Sequence, residues 1–115
     1  MFKITVAKDI EEFCRYMDYK SKGLMMGCYE EQGITGGVCF DITDGAGYIE
    51  ALKADDERMK PVIAKAALNF LDLNGITDVY VKYDDFYKTL GFREDVGGLM
   101  YLNLEGYFTN HEGGC

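Results

Sequence analysis

Glu50 is the only charged residue between Gly45 and Leu52. An apolar setting raises a carboxyl pKa toward neutrality, which suits a general base working near pH 7. The same residue can equally be a strand glutamate that faces solvent or pairs with a cross-strand lysine. Tyr87 stands within "FYKTLGF" (86–92). A phenol with a pKa of about 10 stays protonated at neutral pH and can donate to an anion at close range. Tyr87 is also one of nine tyrosines, any of which can serve as an amphipathic core residue. Between the two lies a strand, an acidic loop and an amphipathic helix in "YIEALKADDERMKPVIAKAALNFLDLNG", starting at residue 48. In many enzymes this layout brings a phosphate to a helix N-terminus, where orphan N–H donors and the positive end of the dipole face the anion. Glycines usually admit the phosphate; here the loop carries Arg58, Met59, Lys60, Pro61 and Val62. Pro61 suits a helix start but brings no N–H, whereas Arg58 or Lys60 can contact a phosphate through charge-assisted bonds. The alternative is that "RMKPV" is simply a well-formed helix start. His111 and Cys115 have the H-x3-C spacing of half a metal site, but two ligands on a glycine-rich tail make no site, and no metal is expected.

The elements that must position these groups follow from periodicity. "FKITVA" (2–7) alternates as a strand. Asp9 and Glu12 form a capping box, and Ile10, Phe13, Cys14 and Met17 share one face of a helix expected to end near Gly23. Three apolar runs, 24–31, 34–43 and 48–54, are separated by "QG" and "DGAG", which implies antiparallel hairpins. The next helix carries Met59, Val62, Ile63, Ala66, Ala67, Phe70 and Leu71 on one stripe and stops at "NG" (74–75). A strand (78–83), a short helix (84–90) stopped by Gly91, and a last strand (99–108) complete the order β α β β β α β α β.

This order, with "YIEALKADDE" and "FYKTLGF" in their places, resembles the GNAT superfamily of N-acetyltransferases over about residues 1–105. The resemblance implies an α+β, three-layer GNAT-like acyl-CoA N-acyltransferase fold, a mixed central sheet flanked by helices. It also implies acetyl-CoA as co-substrate and an amine, small or on a protein, as acceptor. Glu50 then matches the general base and Tyr87 the tyrosine that protonates the departing thiolate. The backbone of Leu52 and the helix start at Lys60, Val62, Ile63 and Ala64 match the cofactor-binding positions. The family's Arg/Gln-x-x-Gly-x-Gly/Ala loop falls on Met59, Val62 and Ala64, of which only Ala64 is an accepted variant. A GNAT-like binding or regulatory module without catalysis is the alternative this loop raises. One helix stands where the family commonly has two, which implies a reduced acceptor side.

At 115 residues, with 48% hydrophobic and 14% aromatic content, the chain fits one domain (1–108) followed by a loose tail (109–115). A net charge of −8, with Lys and Arg scattered singly, excludes nucleic acid as the main partner and suits a cationic or amine-bearing one. The absence of a long apolar span or signal-peptide core points to the cytoplasm. Cys14, Cys28, Cys39 and Cys115 include no CxxC pair and read as reduced structural thiols. Met25–Met26 and the aromatics Tyr101, Tyr107 and Phe108 read as core or as the surface of a homodimer.

Overall fold

The computed structural model describes residues 1–108. His111 and Cys115, and with them the question of a metal on the tail, lie outside the described residues. The strands are β1 (Lys3–Val6), β2 (Leu24–Glu30), β3 (Gly33–Thr43), β4 (Ala46–Ala54), β5 (Asp78–Lys82), β6 (Arg93–Glu94) and β7 (Leu99–Asn103). The helices are α1 (Ile10–Met17) and α2 (Lys60–Leu73), with 3-10 turns at Glu57–Met59, Asp85–Leu90 and Val96–Gly98. One seven-stranded sheet runs in the order β1-β2-β3-β4-β5-β7-β6. Only the β4–β5 pair is parallel, so the sheet is mixed, as expected for the α+β fold.

Local chemistry accounts for most boundaries. The Asp9 side chain accepts the Glu12 N–H at 3.1 Å and opens α1. Between β3 and β4, Asp44 (φ 52°) and Gly45 (φ 79°) form a two-residue turn whose left-handed conformations match the twist of the flanking strands. Gly91 (φ 101°) caps the 3-10 turn that carries Tyr87, donating its N–H to the Lys88 carbonyl.

Four boundaries or faces differ from expectation. α1 ends at Met17, well before Gly23, because Asp18 takes a left-handed conformation (φ 54°) and donates its N–H to the Cys14 carbonyl. No apolar residue from Lys20 to Lys22 would hold another turn against the sheet. Ile10 is 60% exposed, leaving Phe13 and Met17 to carry the buried face. In α2 the buried stripe is Ile63, Ala64, Ala67, Leu68 and Leu71, and Val62 points outward at 40% exposure. The last strand stops at Asn103, whose side chain accepts the Glu105 N–H at 2.7 Å. Gly106 (φ 74°) then turns the chain so that the Tyr107 hydroxyl donates to the Leu90 carbonyl at 2.7 Å. The two-residue strand β6 was not foreseen, being too short to carry a pattern.

The two helices lie on opposite faces of the sheet, and "GG" in β3 shows why. Successive residues of a strand point to opposite faces. A Cβ on Gly36 would run into Ile63 of α2, and one on Gly37 would stand 2.6 Å from the Phe13 ring of α1. Each helix thus sets a large side chain directly on the β3 backbone. Gly37→Ala should therefore destabilise the fold by about 1–2 kcal/mol through overpacking, read from the urea midpoint. An unchanged midpoint would mean that Phe13 moves aside freely. Around this centre Cys28 and Cys39 are buried free thiols, and burial pushes Cys39 up to about 11, so both serve as small core hydrophobes. No described helix is long and apolar enough to cross a membrane.

Candidate active site

The site arises where the parallel pair comes apart. β4 and β5 pair only at Gly47↔Val79, Tyr48↔Tyr80 and Ile49↔Val81. On its other edge, β4 slips against β3. Cys39 faces Ala51 and Phe40 faces Ile49, which leaves Glu50 as the extra residue of a bulge. A bulge bends its strand and re-aims a side chain. Beyond Ile49, β4 has no strand partner on the β5 side, and the opening is a cavity of about 210 Å³.

Glu50, Leu52, Lys60 and Tyr87, four of the positions singled out from the sequence, line this one cavity, together with Lys82, Asp84 and Phe86. Val62, Ile63 and Ala64 do not line it; Ile63 and Ala64 are fully buried beneath α2. The Glu50 side chain is exposed, which corrects the expectation of an apolar setting: its neighbours in sequence are apolar, but the bulge turns it to the open side. Tyr19, in the segment after α1, approaches it, for burial first and the Glu50 charge second raise the Tyr19 phenol. Sequence periodicity gave no sign of that pairing.

Tyr87 is held differently. Its ring is 6% exposed and packs edge-on against Phe86 (centroids 5.1 Å apart) and Phe92 (5.4 Å). Burial, with a smaller contribution from Asp84, pushes its phenol well above the ordinary tyrosine range. The hydroxyl makes no side-chain hydrogen bond among the described residues, yet no described buried polar side-chain atom lacks a partner. That oxygen is therefore not sealed off, and Tyr87 lines the cavity.

The start of α2 offers less to an anion than its layout suggests. The Arg58 N–H is taken by Asp56 Oδ1 at 2.9 Å, the Met59 N–H by the Asp56 carbonyl at 2.9 Å, and the Lys60 N–H by the Glu57 carbonyl. Pro61 has none, so residues 58 to 61 present no free backbone donor. The Arg58 guanidinium is also engaged, through Nε (3.1 Å) and Nη2 (2.9 Å) to Asp56, and it lies 90% exposed. Lys60 pairs with Glu57 at 3.2 Å but still lines the cavity, while Lys82 lines it with no ion pair among the described residues. Lys82 escaped the sequence reading because only the separation of β4 from β5 brings it to the cleft.

No protein-family model and no curated protein matches the chain. Solved structures do. An acetyltransferase of the GNAT family from Staphylococcus aureus Mu50 superposes with a TM-score of 0.67 at 17% identity, over 90% of this chain and 99% of that one. A GNAT family acetyltransferase from Brucella melitensis, in complex with acetyl-CoA, gives 0.70 at 14% identity over 90% and 88%. The PaiA N-acetyltransferase from Thermoplasma acidophilum, in complex with coenzyme A, gives 0.61 at 16% identity over 69% of this chain and 59% of that one. This chain has the GNAT acyl-CoA N-acyltransferase fold.

Proposed function

We propose that the protein is an N-acyltransferase that takes an acetyl group from acetyl-CoA to an amine. The observation that carries this reading is the meeting of Glu50, on the bulge of β4, and Tyr87 on one cavity between separated parallel strands. The amine nitrogen attacks the thioester carbonyl, the C–N bond forms and the C–S bond breaks. Glu50, directly or through water, accepts the proton that the nitrogen sheds, and Tyr87 donates a hydrogen bond to the sulfur as its charge develops. The edge of β4 that is open on the β5 side past Ile49, at Leu52, supplies a donor for the carbonyl oxygen. On this reading the acyl end of the cofactor lies in this cleft, beside Glu50 and Tyr87. The pyrophosphate end then relies on the Lys60 and Lys82 side chains more than on the backbone N–H groups of residues 58 to 61.

Thermal unfolding with acetyl-CoA, desulfo-CoA and ADP tests this. At about a hundred times its dissociation constant a ligand adds roughly 2.7 kcal/mol, which for a domain of this size raises Tm by about 10 °C. Acetyl-CoA and desulfo-CoA should give such a shift. Lys82→Ala should weaken acetyl-CoA binding about tenfold, the scale of one charge-assisted bond. The occupied backbone donors at the start of α2 favour a second reading, a GNAT-fold binding module without catalysis. No shift at millimolar acetyl-CoA would establish that reading over the first.

A further inference from the structure

A second cavity, of about 350 Å³, opens on the α1 face of the sheet and shares Ile49, Glu50, Val81 and Lys82 with the first. One wall is formed by Tyr48 and Tyr80, with Tyr101 continuing their row beyond the cavity. Tyr48 and Tyr80 face each other across β4 and β5, and Tyr80 and Tyr101 across β5 and β7. Their rings follow at centroid distances of 5.4 Å (interplanar angle 22°) and 5.3 Å. The Tyr101 hydroxyl donates to Asp78 Oδ1 at 2.6 Å, which holds the far end of the row. Each of the three lies between residues buried on the α2 side, so all three point to the opposite face, where they stay half-buried. The near end of the cavity carries two carboxylates, Asp41, which pairs with Tyr48 across β3 and β4, and Glu50. Asp41 Oδ1 accepts the Ile42 N–H at 2.8 Å, and its other oxygen makes no hydrogen bond among the described residues.

We infer that this second cavity is the acceptor subsite and that it selects a small primary amine carrying an aromatic ring, its ammonium between Asp41 and Glu50 and its ring along Tyr48 and Tyr80. This rests on the acyltransferase reading only for the word acceptor. Carboxylates at one end and aromatic side chains along the wall suit a cation on a flat apolar body. The net charge of −8 favours the same sign of ligand. Lys82, the only cation among the described residues that line the cavity, is outnumbered by the two carboxylates.

Calorimetric titration of the protein without acetyl-CoA tests the subsite independently of catalysis, so failed acetyl transfer and failed amine binding remain distinguishable. 2-Phenylethylamine should bind at least tenfold more tightly than 2-phenylethanol, which lacks the cation, and than butylamine, which lacks the ring. Asp41→Asn keeps the acceptor for the Ile42 N–H and should weaken the amine about tenfold without affecting the alcohol. Tyr80→Leu, checked for folding by its melt, should weaken 2-phenylethylamine severalfold and leave butylamine unchanged. Equal binding of amine and alcohol, or no binding at millimolar concentration, overturns the proposal. So does tighter binding of phenylalanine, which would give Lys82 the role of carboxylate partner, or of a lysine peptide, which would make the acceptor a protein.

Discussion

Tyr87→Phe should lower kcat about a hundredfold while leaving the acetyl-CoA thermal shift intact. The ring would keep its contacts with Phe86 and Phe92, because only the hydroxyl is removed. The Tyr87 phenol is pushed upward chiefly by burial, so complete proton transfer to a thiolate is uphill. The hydroxyl therefore contributes as a donor aimed at the developing charge, an interaction made in the transition state and weak in the ground state. KM should barely move.

A second readout needs no substrate. The folded pKa of Tyr87 lies above its unfolded value of about 10, so its contribution to stability is complete below that pH. It is lost as pH rises through the window between the unfolded and folded values, where the unfolded chain releases a proton that the folded one retains. In that window each such group costs about 1.4 kcal/mol per pH unit, and Tyr87→Phe should lower the alkaline slope by one group's share, leaving those of Tyr16, Tyr101 and the other raised phenols. Turnover unchanged in Tyr87→Phe would take the residue out of the mechanism even if the alkaline slope fell.

Glu50→Gln should also lower kcat by about a hundredfold or more, the usual worth of a general base. Glutamine keeps the side chain's length at the bulge but accepts no proton. The carboxylate is exposed and shared by both cavities, so water can reach it and relay the proton from an amine on the α1 face. Folding should be unaffected, since an exposed residue opposite no partner in β3 contributes little packing. A kcat equal to the wild type's would assign deprotonation to bulk solvent or to another group.

Both substitutions concern positions whose residue types were legible early, because their cues are local. Asp9 three residues before Glu12, the Asp44–Gly45 turn, the Gly91 cap and the apolar stripe of α2 act within one turn or hairpin, where spacing in sequence is spacing in space. For the same reason the "FYKTLGF" segment put Tyr87 beside Phe86 and Phe92 before any tertiary contact was known. The errors cluster where a local pattern meets a distant partner. Alternation placed Glu50 in an apolar strand, but the slip of β4 against β3 shifted the period by one residue and turned the carboxylate outward. The end of α1 hung on whether the sheet offered its next turn anything to bury. Lys82 reached the cleft only because β5 leaves β4 after Val81. Tyr48, Tyr80 and Tyr101 became one row because three strands far apart in sequence aligned in register. The sequence by itself determined which segments are helix, strand and turn, and which residues have usable chemistry. The tertiary structure decided the register, the bulge and the parting of the two parallel strands, because pairing between distant strands is set by how whole faces bury together and not by any neighbour in the chain.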